Sequence, residues 1–238
     1  MCMKADFEKV YFHKPENIER YKAYSLLNQD MEAEEIVWRV NNHLDKEQYN
    51  FDVPVTDFDD PYMLVNKYFK LPLDYRPHDI VTVDGCPMRK DTAEAYIKMR
   101  DAARTEGFNI KVASAYRSAE EQRVMYENHV RKDSIAFADK ICARPGYSEH
   151  QTGMVVDIEG SIPKPINISK TPEAAWLKEN CYKFGFILRY LPEIVEITGY
   201  MSEPWHLRFV GTDVSMDIKT KGIMSFEEYR ERFLKTNP

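Results

Sequence analysis

The stretch Ser148-Glu149-His150-Gln151-Thr152-Gly153-Met154-Val155-Val156-Asp157 constrains this chain more than any other, and Glu203-Pro204-Trp205-His206 answers it further along. Gly153 allows a turn between a loop carrying His150 and a strand carrying Asp157. Within that strand Val155 and Asp157 share one face, Val156 and Ile158 the other. If the second face packs on helices, Asp157 looks into a cleft. On a later strand His206, Arg208 and Val210 share a face, with Leu207 and Phe209 behind. Two neighbouring strands with this alternation bring Asp157 and His206 together. Two imidazoles and one carboxylate are a donor set that catalytic zinc accepts in a tetrahedron, one position staying open. A single histidine is more often a surface or hydrogen-bonded residue, and His13, His43, His78 and His129 are read that way. The joint pattern sets His150 and His206 apart.

Two further groups suit a reaction centre. Glu203 lies three residues before His206 with Pro204 between, so a turn is expected to present it. This is not an HExxH helix, where the base sits between two ligands on one turn. Beside an activated water Glu203 is the natural general base, then general acid to a departing amine. Arg117 lies at a strand-to-helix junction in Ser114-Ala115-Tyr116-Arg117-Ser118-Ala119-Glu120-Glu121-Gln122. Its planar, always-charged guanidinium fits a substrate carbonyl or carboxylate. A surface ion pair with Glu120 or Glu121 is the other reading, and spacing leaves both open.

The rest of the chain reads as scaffold. Its 238 residues, 43% hydrophobic and 13% aromatic, can bury a sizeable core in one large domain or one domain with an extension. The net charge of −6 is well mixed and shows no basic stripe, which argues against a nucleic-acid binder. Helical spacing appears twice in residues 15–45, as Ile18, Tyr21, Tyr24 and Leu27, then Ile36, Val37, Val40 and Leu44. Residues 46–79 are irregular, with an extended segment expected over 63–68. Strands are expected at 80–83, 110–115, 154–158, 186–188 and 206–210. Asp91 with Glu94, Ser118 with Glu121, and Ser225 with Glu228 read as helix caps, the first helix ending near Gly107 and the second near Lys132. Thr171-Pro172 opens a helix through about Tyr182. Single strands between helices of uneven length predict an α+β fold, with residues 1–60 as a packed helical N-terminal extension. Cys2, Cys86, Cys142 and Cys181 form no CxxC pair and are read as free buried thiols.

In these stretches the chain resembles the VanY-type D-alanyl-D-alanine carboxypeptidases, zinc metallopeptidases related to the VanX, VanXY and lysostaphin-like enzymes. The matching segments, in the family's order, are Tyr116-Arg117-Ser118 with Gln122, Ser148 to Asp157, Phe184-Gly185-Phe186-Ile187-Leu188-Arg189-Tyr190, Thr198-Gly199, and Glu203 to Gly211. They cover roughly 80–215. The resemblance implies a small, mostly antiparallel sheet flanked by helices, hedgehog/D-Ala-D-Ala peptidase-like, over residues 61–238. It implies His150, Asp157 and His206 as Zn2+ ligands, Glu203 as catalytic base and Arg117 as stabiliser of the oxyanion. Ser148 and Gln122 would hold the substrate's terminal carboxylate. The implied activity removes C-terminal D-alanine from peptidoglycan stem peptides ending in D-Ala-D-Ala, the ending a glycopeptide antibiotic recognises. Met154-Val155-Val156 departs from the smaller or different apolar residues common there, which is expected to alter packing and not ligation.

Rival readings share the metal and the base. An L,D-carboxypeptidase trims tetrapeptide stems, a D,D-dipeptidase needs a pocket closed to longer peptides, and an endopeptidase needs an open groove. Loops 46–79 and 159–171 are expected to set this choice. A zinc-containing binding module, as in the hedgehog signalling domain, would be expected to lack the base or the oxyanion cation, and here Glu203 and Arg117 both stand. The N-terminus carries no apolar run of secretory type, and no stretch is long enough to span a bilayer. The expectation is either a cytoplasmic protein or a wall-facing one whose leader is absent from this chain.

Overall fold

In the computed structural model, which describes residues 6–51 and 53–234, the two N-terminal runs of helical spacing form α1 (Ile18–Leu27) and α2 (Ala33–Asn41). Tyr21 of α1 and Ile36, Val37 and Val40 of α2 are buried together against Ile194 and Ile197, so the extension packs on the later chain. Leu27 was expected on the inward stripe but is 86% exposed, because α1 ends at that residue. Residues 63–68 are not a strand. The Asn66 side-chain oxygen accepts from the N–H groups of Tyr68 and Phe69 and bends the chain there. Extended pairing comes just after, with β1 (Val53–Pro54) parallel to β2 (Phe69–Lys70).

β3 (Ile80–Val83) forms a hairpin with β4 (Cys86–Arg89), a strand not anticipated because it carries a proline and few β-formers. The turn is Asp84-Gly85, both at positive φ (51° and 83°), the primed geometry whose twist suits a tight hairpin. The strand runs straight into α3 (Lys90–Thr105), and Arg89 stands at the N-cap with no side-chain cap bond. The expected Asp91–Glu94 capping box therefore does not form; Asp91 sits inside the first turn, where its charge complements the helix dipole. After β5 (Lys111–Ser114), the Ser118–Glu121 capping box does form and starts α4 (Ala119–Lys132). The short α5 (Ile135–Ile141) follows, capped by Ser134.

The remaining elements are β6 (Val155–Glu159), α6 (Pro172–Asn180), β7 (Phe186–Tyr190), α7 (Val195–Thr198), β8 (Glu203–Phe209), α8 (Thr212–Lys221) and α9 (Phe226–Tyr229). Ser225 caps α9 as expected, its hydroxyl accepting from the Glu228 N–H. The strands order β5-β6-β8-β7, each pair antiparallel, which is the α+β sheet flanked by helices that the sequence predicts. One face buries Val112, Val156, Ile158, Phe186 and Leu207 against Tyr96 and Met99 of α3 and Trp176 and Leu177 of α6. The opposite face is left for Asp157 and His206. Cys86, Cys142 and Cys181 are free thiols, and Cys2 lies outside the described residues. No helix among the described residues is long and apolar enough to cross a membrane.

Leu207 is fully buried in the middle of this core. Leu207→Ala should destabilise the fold by about 2–5 kcal/mol, the usual cost of lost burial plus a cavity. Urea unfolding measures this as a lower midpoint at constant slope; a change under about 1 kcal/mol would contradict the packing described.

Candidate metal centre and catalytic pocket

The pairing of β6 with β8 sets Asp157 directly opposite His206. His206 Nδ1 lies 3.1 Å from Asp157 Oδ1, and His150 Nε2 lies 3.2 Å from Asp157 Oδ2. Ligating atoms of the three buried residues all fall within 4.8 Å of one another. A tetrahedral zinc with bonds of about 2.0–2.1 Å needs donors roughly 3.3 Å apart, so the set fits a single ion. His150 is delivered by a short 3-10 turn, Glu149–Thr152, capped by the Ser148 hydroxyl, which accepts from the His150 N–H. Gly153 closes that turn at φ 70°, and a Cβ there would meet Arg89 Cγ at 3.0 Å and Ile80 Cδ1 at 3.1 Å. The positive φ favours glycine, and the close approach of Arg89 and Ile80 leaves little room for a side chain.

The far nitrogen of each imidazole is also engaged. His150 Nδ1–H donates to the Ala115 carbonyl, and His206 Nε2–H donates to the Glu149 carboxylate at 3.3 Å. These bonds turn Nε2 of His150 and Nδ1 of His206 toward Asp157, the nitrogens that an ion would take. Nothing in the order of residues reveals that Glu149 is buried against His206.

Glu203 is the first residue of β8, paired with Tyr190 of β7, and not on a separate turn as expected. The β7 partner extends the strand back to it. Its Oε2 lies 3.8 Å from His206 Nδ1. Arg117 donates to Gln122 Oε1 at 2.8 Å and to Ser114 Oγ at 3.0 Å. The two carboxylates that spacing offered it are engaged elsewhere, Glu120 by Arg123 and Glu121 by Ser118. Gln122 also donates to the Ala143 carbonyl at 2.8 Å, tying Arg117 to the segment after α5.

Arg117, Gln122, Ser148 and Glu203 line one pocket of about 240 Å³ together with His150, Asp157 and His206. Ile141, Cys142 and Ala143 close one side, and Tyr190, Tyr200 and Trp205 another. Among the described residues no lining side chain comes from 46–79 or 159–171, so the walls are set by the end of α5 and by residues 190–205 instead. The aromatic lining carried no sequence signal of its own, because aromatic residues serve equally as core.

Burial pushes the Glu203 carboxyl up to about 7, against the pull of the His206 and Arg117 charges. Burial would also raise Asp157, but His150 and His206 hold it far below the usual carboxylate range. Glu149 is likewise held low, by Arg189 and His206. Burial would lower His206, yet its bonds to Asp157 and Glu149 outweigh that and lift it to about 9. Two carboxylates thus stay ionised while a third titrates near neutrality, the division that separates ligand from proton carrier.

A protonated imidazole cannot ligate, so an ion taking His206 Nδ1 must displace that proton. Below pH about 9 the affinity for zinc should fall about tenfold per pH unit. Chelator-competition titrations between pH 6 and 8 measure the slope, and a flat profile would show that His206 carries no proton for the ion to displace.

Residues 86–212, more than half of the chain, match the family model described as VanY: D-alanyl-D-alanine carboxypeptidase. The putative carboxypeptidase YodJ of Bacillus subtilis is 38% identical over 185 residues, 72% of this chain and 67% of YodJ. A D-alanyl-D-alanine carboxypeptidase of Enterococcus faecalis is 40% identical over 138 residues, 54% of this chain and 50% of that enzyme, so the chain spans about half of that relative. Among solved structures, the LdcB LD-carboxypeptidase superposes with a TM-score of 0.71 at 34% identity, covering 79% of this chain and 92% of its own. A mutant of the vancomycin-resistance D,D-pentapeptidase VanY in complex with Zn(II) gives 0.62 at 32% identity, covering 73% and 99%. Every side chain that lines the pocket lies inside the matched segment, so the likeness falls on the chemistry as well as the scaffold, and the chain belongs to the VanY family of D-alanyl-D-alanine carboxypeptidases.

Proposed function

We propose that this protein is a zinc-dependent carboxypeptidase that removes the C-terminal D-alanine from peptidoglycan stem peptides ending in D-Ala-D-Ala. His150, Asp157 and His206 would hold the ion. The observation that carries the reading is the convergence of these three donors beside a buried carboxyl held near neutrality. The Zn(II)-bearing VanY relative supports zinc as the metal. Bound there, zinc supplies a Lewis acid that activates water and polarises a carbonyl.

The chain's own residues do the rest. Glu203 takes the proton of the attacking water and returns it to the amine of the departing D-alanine. Arg117, steadied by Gln122 and Ser114, offers a fixed cation to the charge growing on the scissile carbonyl oxygen. Ser148 and Gln122 face the substrate's terminal carboxylate; Gln122, whose amide bridges Arg117 and Ala143, acts chiefly by aiming Arg117. In this reading residues 61–238 form the catalytic unit and residues 1–60 its helical cover.

A second reading, L,D-carboxypeptidase action on tetrapeptide stems, is supported by the superposition on LdcB at 0.71. Mass spectrometry of stem peptides of different length separates the two. Loss of one D-alanine from a pentapeptide supports the D,D reading, and trimming of the tetrapeptide alone supports the L,D reading. Glu203→Ala should keep its zinc and lose about 10²–10⁴-fold in kcat on the preferred peptide. Full turnover in that variant would exclude Glu203 as the base.

A further inference from the structure

Behind the pocket a chain of ionised groups runs through the protein with almost no exposed surface. Glu149 is its first member. Its Oε2 accepts from His206 Nε2, and its Oε1 accepts from Arg189 Nε at 2.9 Å and from Arg208 Nη1 at 3.4 Å. Arg189 then grips Glu227 with both terminal nitrogens, at 3.0 Å and 2.6 Å. Asn66 donates to Glu227 Oε1 at 3.0 Å, and Asn42 donates to the Glu227 backbone carbonyl at 3.2 Å. Glu149, Arg189, Arg208 and Glu227 are each at most 1% exposed. Glu227 belongs to α9, Asn42 follows α2, and Asn66 lies in the irregular segment. All three fall outside residues 86–212.

The geometry dictates what this arrangement does. A buried guanidinium must satisfy its donors in place. Arg189 spends Nε on Glu149 and its other two nitrogens on Glu227, so the second carboxylate decides where the first can stand. With Glu227 neutralised, the freed donors of Arg189 have Glu149 as the nearest carboxylate. A two-pronged grip on Glu149 would draw its oxygen away from His206. His206 would then lose the acceptor that keeps its proton on Nε2 and its lone pair on Nδ1.

We infer that Arg189 and Glu227 are positioning residues for the ion site, acting through Glu149 on the His206 ring, so that ion affinity depends on how α9 and the Asn66 segment are docked. This rests on the reading that His150, Asp157 and His206 hold the ion. The reaction is not altered by it; the dependence lies in the grip on the metal.

The test is zinc affinity, measured on the folded full chain by chelator competition, with far-UV circular dichroism as the check on folding. Glu227→Gln should weaken zinc binding about 10–100-fold, and Glu149→Gln at least as much. The double variant should be scarcely weaker than Glu149→Gln, because both act along one path. Arg189→Lys keeps the charge but cannot hold two carboxylates, and gives the same result should Glu227→Gln not fold. Phe7→Ala, which loosens the N-terminal cluster at the ring that packs on Tyr21, separates positioning from general destabilisation and should leave zinc affinity unchanged. Zinc affinity within about threefold of wild type in both Glu227→Gln and Arg189→Lys would overturn the inference while the ion site stands. So would an equal loss in Phe7→Ala. A wild-type chain that takes up no zinc would overturn the ion-site reading first, and this inference with it.

Discussion

Asp157 and His206 stand across from each other because β6 and β8 pair in one particular register. Their neighbours Val156 and Leu207, also directly paired, are wholly buried under α3 and α6. Alternation along a strand couples the two faces absolutely. A slip of one residue would turn His206 and Arg208 into the apolar core and Leu207 into the pocket. The packing of the apolar face therefore sets the position of the donors on the other face. His150 joins them from a turn closed by Gly153 at positive φ, against Arg89 and Ile80 of the β3–β4 hairpin.

Three carboxylates gather around this pairing and are given different characters by their surroundings. Asp157 lies between two imidazoles and remains ionised. Glu149 lies between His206 and the guanidiniums of Arg189 and Arg208 and also remains ionised. Glu203, at the pocket end of β8, is partly buried and lies farther from compensating charge, so burial lifts it toward neutrality. In the function proposed here, identical chemistry would thus separate into an ion-binding group, an orienting group and a proton carrier.

Much of what steadies the pocket comes from outside the segment that defines the family. Lys67, buried despite its charge, donates to the carbonyls of Asp139 at 2.6 Å and Gly199 at 2.7 Å, stitching α5 to the turn ahead of β8. Its ammonium lies 4.5 Å from the ring of Tyr200, a pocket-lining residue. Leu64 and Phe69 pack with Val210, Val214 and Phe226, so the irregular segment and the C-terminal helices share one cluster. Residues that touch no substrate in this reading still govern where the walls stand.

Order of residues alone determined the alternation of strands β6 and β8, the meeting of Asp157 with His206 that follows from it, and the Ser118 and Ser225 caps. Those features are local or periodic, and local physics leaves a local mark. The β4 strand, the short α5 and the failed Asp91 cap were not legible, because a strand–helix junction and tertiary packing outweighed weak propensities there. The start of β8 at Glu203 depended on its partner β7, and the partners of Arg117 on where α4 and α5 came to rest. The role of Glu149 needed Arg189, Arg208 and Glu227 brought from far along the chain. Only the tertiary structure could decide these, because a buried charge takes its character from whichever groups the fold places against it.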